Sequence, residues 1–363
     1  MKVLVLWADS KSANLGVRVL AQGMKALAVA AFGEETQVDF QDYGPGDSKI
    51  GFGGRTILKD LGRPEGPIKT KLSQYDLVLD SGAGDSFADI YGAKRLITMN
   101  YAHRVAHEIG VALVMGPQTI GPFGTVWSRL IARSSLRSAT TVFARDPISL
   151  GFSSALGRKA VLSTDVVFAL PQPIPSQVTP RDIVMNVSGL LWNSDKHVNA
   201  VEYRTAVLAT IAQIRSSGRS VSLLAHVIDN PTTDNDVVAI RQAARLAGGD
   251  IETIIPRDLT DVRSIVAGAS VVIGARMHSC LNALSTGTPS IPWAYSRKFA
   301  PLLSDLGWNL SLDVRDTKAL PAATMRYLET GFEHESIERI NDMAATRLEE
   351  VIAALRLTRR AAA

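Results

Sequence analysis

The sequence predicts an α/β protein of two Rossmann-like, doubly wound domains facing a cleft, closed by a C-terminal helix. Three observations predict it. The chain has 363 residues, more than one ordinary core organises, which suggests two domains of roughly 150 to 200 residues. Short apolar runs alternate with amphipathic segments, the rhythm of a parallel sheet covered on both faces. That rhythm breaks once, at a stretch carrying Pro171, Pro173, Pro175 and Pro180. Proline removes a backbone donor and restricts its neighbour, so this stretch reads as an extended linker.

The first half places strands at 2–7, 36–40, 77–80, 112–115 and 141–144, with helices at 15–30, 91–109, 126–138 and 147–155. The Gly- and Pro-rich stretch 44–67 interrupts this and predicts a mobile loop. After the linker, strands are expected at 183–187, 220–226, 251–255 and 271–273. Helices are expected at 200–216, 234–247, 258–267 and 335–357. The domains expected are 1–170, a linker 171–182, a second domain 183–330, and a terminal helix and tail 331–363.

Composition narrows the class. Hydrophobic residues are 46% and charged residues 20%, the balance of a globular protein. The formal charge of +4 is spread rather than clustered, so nucleic-acid binding is not expected. Cys280 is the only cysteine, which excludes an intramolecular disulfide and fits a reducing cytoplasm. No export signal and no apolar run of about 18 residues is apparent, so no membrane span is expected. The basic end, Arg356 to Arg360, reads as a frayed terminus.

The candidate site residues follow strand ends. After 271–273 come Gly274, Arg276 and His278. After the apolar stretch 289–295 come Arg297 and Lys298 at a helix start. A strand that opens into a helix leaves backbone N–H groups where an anion binds. Arg, His and Lys around such openings suggest a small, multiply charged anionic substrate, against the plainer reading that Arg276 pairs with a carboxylate. Asn14 and Gly16 follow the first strand. Ser81, Gly82, Ala83, Gly84, Asp85 and Ser86 follow the third, with Asp85 and Asp89 able to accept a proton from a sugar hydroxyl. Gln118, in the rigid loop 116–122, offers an amide to hydroxyls. Arg145 is left to face a cleft, while Asp146 before Pro147 reads as a helix cap. His226 has no nearby Cys or His, so no structural metal is expected. His103 and His107 would share a helix face, without the Glu of a zinc-protease motif. Cys280 reads as a buried small hydrophobe.

Taken together these loops resemble the polysaccharide pyruvyl transferase family, whose members are GT-B-like in fold. The matching pieces are Asn14–Gly16, Gly82–Asp89, GPQTIGPF at 116–123, ARDPIS at 144–149, TDVVFAL at 164–170, GARMH at 274–278 and YSRK at 295–298. The chain departs from the family pattern at Val17 and Ala83. The resemblance implies transfer of the enolpyruvyl group of phosphoenolpyruvate onto two hydroxyls of a glycan or lipid-linked saccharide, forming a pyruvate ketal in surface polysaccharide biosynthesis. It implies His278, Lys298 and Asp85 as catalytic residues, and Arg276, Arg145, Gly274 and Lys298 as the donor site. Asn14, Gly84, Asp89 and Gln118 would form the acceptor site. It requires no metal and no cofactor. The first domain would be the acceptor side and the second the donor side, in a cytoplasmic protein, with peripheral membrane contact and homo-oligomerisation left open. A GT-B glycosyltransferase using a nucleotide sugar, or a non-catalytic component of a polysaccharide assembly complex, are the competing expectations.

Overall fold

A computed structural model describes residues 1–44 and 50–362, with side chains through residue 358. The chain divides into two compact units. The first comprises residues 1–11, 17–170 and 344–363, and the second residues 12–16 and 171–343.

The first unit holds β1 (Lys2–Leu6), α1 (Leu15–Phe32), β2 (Gln37–Gln41), α2 (Gly54–Asp60), α3 (Pro67–Leu72), β3 (Leu77–Asp80), α4 (Ala93–Glu108), β4 (Ala112–Gln118), α5 (Val126–Ser138), β5 (Thr141–Ala144), α6 (Pro147–Ala155) and β6 (Val161–Leu162). Among the described residues its sheet runs in the order β2-β1-β3-β4-β5-β6, all pairs parallel. Alternate residues of each strand leave on opposite faces. Accordingly Val3, Val5, Leu77, Leu79 and Val114 enter one core with Leu20, Met24 and Leu27 of α1. Leu4, Leu6, Val78, Leu113 and Met115 enter another with Leu96, Met99, Val105, Ala132 and Leu136 of α4 and α5. Each such aliphatic side chain contributes about 1.5–3 kcal/mol on burial.

The second unit holds β7 (Arg181–Asn186), α7 (Gly189–Trp192), α8 (Ala200–Ser216), β8 (Val221–Leu224), α9 (Asp236–Leu246), β9 (Thr253–Ile254), α10 (Leu259–Ala267), β10 (Ala269–Gly274), α11 (Met277–Ser285), β11 (Ser290–Ala294), α12 (Phe299–Asp305), β12 (Leu312–Asp313) and α13 (Leu320–Thr330). Its sheet order is β12-β11-β10-β7-β8-β9, again parallel throughout. Ile183, Val184 and Met185 are all fully buried, as a strand covered on both faces requires. The last helix, α14 (His334–Ala362), buries Ile337 and Ile340 in the second unit. From Ala344 it belongs to the first, where Leu348, Val351 and Leu355 join the α1 side of the core.

Several expectations change. The stretch 44–67 is not simply a loop: α2 and the start of α3 occupy part of it, Asp60 accepting the Ile68 N–H at 2.7 Å, while residues 45–49 lie outside the described ones. Arg181 and Asp182 of the expected linker already belong to β7. The C-terminus does not fray at Arg356: α14 continues, and the Arg356 guanidinium donates to Ala30 O at 2.9 Å, near the end of α1. Finally, α1 is long and apolar enough by length and composition to cross a membrane, contrary to the sequence expectation, but half of it is buried against the sheet.

In each sheet the strand order reverses once. The chain moves outward from β1 to β2 and returns to β3 on the other side of β1. In the second unit it moves from β7 through β8 and β9, then returns to β10 beside β7. Open parallel sheets bind ligands beyond the carboxyl ends of the strands at this reversal.

Candidate active site

In the second unit the reversal lies between Asn186, the last residue of β7, and Gly274, the last of β10. Asn186 joins the neighbouring loops: its Nδ2 donates to Leu224 O at 3.0 Å and Asp236 Oδ2 at 3.2 Å, and its Oδ1 accepts the Arg276 N–H at 3.0 Å. Asp236 is wholly buried and accepts the backbone N–H groups of Gly189, His226 and Val227 at 2.7 to 3.0 Å. It also accepts Nη2 of Arg276 at 2.6 Å, while Asp234 takes the same nitrogen. Burial pushes the Asp236 carboxyl up, but the Arg276 guanidinium and the backbone donors outweigh it and hold it below the ordinary carboxylate value. The same carboxylates overcome the burial of Arg276 and keep it charged.

Arg276 was expected as a donor ligand. The structure commits its guanidinium to two carboxylates, so it builds the strand-end loops rather than presenting an unbalanced positive charge. Gly274, also expected at the donor, serves packing: a Cβ there would stand 2.5 Å from Sγ of Cys280. Cys280 is buried, as expected, and burial pushes its thiol up to about 12.

His278 is the second residue of α11 and lies against the segment Ser12–Gly16. That segment is sewn to the β8 end by Leu15 N–H to His226 O (3.0 Å), Ile228 N–H to Ala13 O (2.8 Å) and an antiparallel bridge between Asn14 and Val227. Asn14 Oδ1 accepts the Gly16 N–H at 2.9 Å. A Cβ on Gly16 would stand 2.7 Å from Nδ1 of His278. Asn14, expected at the acceptor, thus makes its contacts in the second unit.

A second histidine accompanies the first. Arg263 is a pure donor, so the Asn282 atom it meets at 3.2 Å must be the amide oxygen. The Asn282 NH₂ then donates to His278 O at 2.7 Å and faces His226 Nε2 at 3.3 Å, leaving that nitrogen an acceptor and the proton on Nδ1. Burial, with His278 nearby, pushes the His226 imidazole down to about 3. Arg263 also meets Ser285 Oγ at 2.8 Å, at the C-terminal end of α11 where the helix dipole favours a cation.

Lys298 stands at the N-terminus of α12. His197, which sequence reasoning missed, has its ring 5.1 Å from that of Tyr295. Burial and the positive charges of Lys196 and Lys298 lower its pKa, against Asp234. It could have been found, since the segment 187–199, which includes α7, follows a strand end like the other candidate loops.

In the first unit the reversal lies between β1 and β3. Buried Asp80 accepts Nε1 of Trp7 at 3.0 Å and pairs with His103. His103 is therefore buried while His107 is exposed, so the two do not share an open face. Gln118 is fully buried beneath Gly82, whose φ of 59° and missing Cβ leave room for the Gln118 amide. It packs under the loop instead of offering its amide to a hydroxyl. Asp89 accepts Gly124 N–H at 2.6 Å and Ser128 Oγ–H at 2.8 Å, tying down the start of α5. Gly84 is buried beside Leu20 and Arg145. Arg145 does not face open space: it is 1% exposed, pairs with Asp165 at 2.9 Å and donates to Thr119 Oγ1 at 2.9 Å. Asp146 caps α6 through the Ser149 N–H at 2.8 Å, as expected. Asp85 stays half-buried and accepts the Tyr91 hydroxyl at 2.7 Å.

Known proteins match this chain. The family described as polysaccharide pyruvyl transferase matches residues 27–297. The amylovoran biosynthesis protein AmsJ of Erwinia amylovora is 24% identical over 277 residues, 70% of this chain and 65% of that protein. Among solved structures, MnaA of S. aureus in a UDP co-structure aligns with a TM-score of 0.61 at 12% identity, covering 97% and 94% of the two chains. UDP-GlcNAc 2-epimerase from Neisseria meningitidis bound to UDP-GlcNAc aligns at 0.57 and 12%, covering 98% and 99%. HepE of Anabaena in complex with UDP and glucose aligns at 0.52 and 13%, covering 98% and 97%. At these identities the likeness shows the two-domain, GT-B-like fold alone.

Proposed function

Given that the chain belongs to the polysaccharide pyruvyl transferase family, we propose that it transfers the enolpyruvyl group of phosphoenolpyruvate onto two hydroxyls of a glycan, forming a pyruvate ketal. The observation that carries this reading is the His278 imidazole held against Gly16 beyond the β10 end, in the unit that also holds Lys298. Phosphoenolpyruvate has a phosphate and a carboxylate. No side-chain hydrogen bond caps α11, so the start of the helix, ahead of the Ser279 N–H that donates to Arg276 O, can meet one anionic group, while the Lys298 ammonium meets the other.

In the proposed reaction His278, as imidazolium, gives its proton to the methylene carbon, and a cationic centre forms at C2. One sugar hydroxyl adds to C2 and loses its proton to the imidazole. The C2–O bond to phosphate breaks, inorganic phosphate departs with the electron pair, and Lys298 balances its charge. The second hydroxyl attacks C2, gives its proton to the departed phosphate, and closes the ketal. Buried His226 and Asn282 hold the His278 end of α11, and Arg276 with Asp234 and Asp236 holds the loops in register. The acceptor would be a glycan or lipid-linked saccharide precursor in the cytoplasm.

The UDP and UDP-sugar complexes of the structural neighbours favour one second reading, a nucleotide-sugar glycosyltransferase. Calorimetry with phosphoenolpyruvate and with UDP-sugars separates the two, followed by phosphate release and ketal mass gain over a panel of glycan acceptors. Binding of phosphoenolpyruvate, with turnover abolished in His278→Ala and Lys298→Ala at an unchanged melting temperature, supports the transferase. Heat from UDP-sugars alone, with no phosphate released on any acceptor, sinks it.

A further inference from the structure

Helix α5 reads VWSRLIARSSLRS and begins with a capping box between Thr125 and Ser128. Val126, Leu130, Arg133 and Arg137 recur at i, i+4, i+7 and i+11, one stripe of a helix. That stripe does not face the core. Val126 is 69% exposed, Leu130 63%, and Trp127 beside them 40%. Arg129, Arg133 and Arg137 are exposed as well. The buried side of α5 is a different set: Ser128, Ala132, Ser135 and Leu136.

The neighbouring α4 continues the surface. Asn100 donates to Ile131 O at 3.2 Å and Ser135 Oγ at 3.0 Å, fixing the two helices together. Ile97 is 47% exposed on α4, and Lys94 is exposed at its start. Between the helices lies a groove of about 420 Å³ lined by Arg104, His107, Leu130, Arg133 and Arg137 among others. Glu108 is the single acidic residue of the two helices, and Arg104 already pairs with it at 3.2 Å.

We propose that this α4/α5 face is a docking surface for a membrane rich in anionic phospholipid. Its composition selects that partner. Arg129, Arg133 and Arg137, with Glu108 the one acid lining the groove and already paired with Arg104, match a layer of phosphate headgroups, while Val126, Trp127 and Leu130 stand among them at the depth where headgroups meet acyl chains. A soluble phosphate or a nucleic acid would satisfy the arginines but leave the aliphatic side chains in water. The inference stands on the first unit alone and does not depend on the pyruvyl-transfer reading. Should that reading hold, docking would bring the enzyme to lipid-linked acceptors.

The test is vesicle co-sedimentation of the full chain with phosphatidylglycerol-containing and with pure phosphatidylcholine vesicles. The wild type should sediment with the anionic vesicles only, and lose binding as salt rises to about 0.5 M. Each arginine near an anionic surface changes partitioning about fivefold. Arg133→Gln with Arg137→Gln should therefore weaken it by more than about tenfold, and adding Trp127→Ala and Leu130→Gln should abolish it. All four side chains are exposed, so unchanged melting curves are expected. A wild type that ignores anionic vesicles overturns the proposal, as does a fourfold variant that binds as well as the wild type. A wild-type dimer that Leu130→Gln splits would assign the face to a second copy of the chain, and overturns it equally.

Discussion

Gly16 and His278 meet so closely that a single methyl group would fill the space between them: a Cβ on Gly16 would come to 2.7 Å from the imidazole Nδ1. The glycine opens α1 and the histidine opens α11, so the contact ties the starts of two helices.

Gly16→Ala should displace His278 without unfolding the protein. Misplacing a catalytic group by about 1 Å costs on the order of 10²-fold in rate. The expected result is a fall in kcat of that order with phosphoenolpyruvate and acceptor, at a melting temperature within a few degrees of wild type. An unchanged kcat would mean His278 is not held by this contact.

The two carboxylates on Arg276 should respond unequally. Asp236 is fully buried and the Asp234 side chain is 31% exposed. Asp236→Ala leaves a buried guanidinium with only the partly exposed Asp234 and strands several backbone donors, and should cost about 3–5 kcal/mol. Asp234→Ala should cost about 1 kcal/mol or less. Urea denaturation of both variants checks the ranking, and equal losses would contradict the network described.

His226 gives the stability curve an acid limb. Its folded pKa, about 3, lies below the ordinary 6.5. Between those values the unfolded chain holds the proton and the folded protein does not. The contribution is thus fully present above pH 6.5 and falls as pH drops toward 3, by at most about 1.4 kcal/mol per unit. His226→Gln cannot titrate, so the gap between its stability and that of the wild type should narrow from pH 7.5 to pH 5. A constant gap would disprove the assignment of a buried neutral imidazole.

Cys280, buried with its thiol pushed up to about 12, should resist alkylation. Iodoacetamide at pH 8 should modify the native protein at least about 100-fold more slowly than the protein in guanidinium. Fast native labelling would indicate an open α11.

Much of the architecture was readable from the chain, since strand burial and helix capping are local. The runs at 77–80, 112–115 and 141–144 formed strands, and Asp146 capped α6 as its place before Pro147 implied. The short helices α2 and α3 escaped because Gly and Pro nearby mimic a loop, although Gly66 and Pro67 are an ordinary helix start. His197 escaped because it lies eleven residues past the end of β7, beyond the short helix α7, rather than directly at the strand end. Tyr295, nearly a hundred residues on, with Lys298 and Asp234 close enough to shift its titration, brings it to the site.

By itself the sequence determined the α/β class, the positions of most strand ends, and the family motifs at them. The tertiary structure decided which charges at those ends are already balanced. Arg276 meets Asp234 and Asp236, Arg145 meets Asp165, and His278 sits with His226 and Gly16. The physical reason is the parallel crossover: each strand end lies beside the end of a strand far away in sequence, so the partner of a charge is set by strand order, which local spacing does not encode.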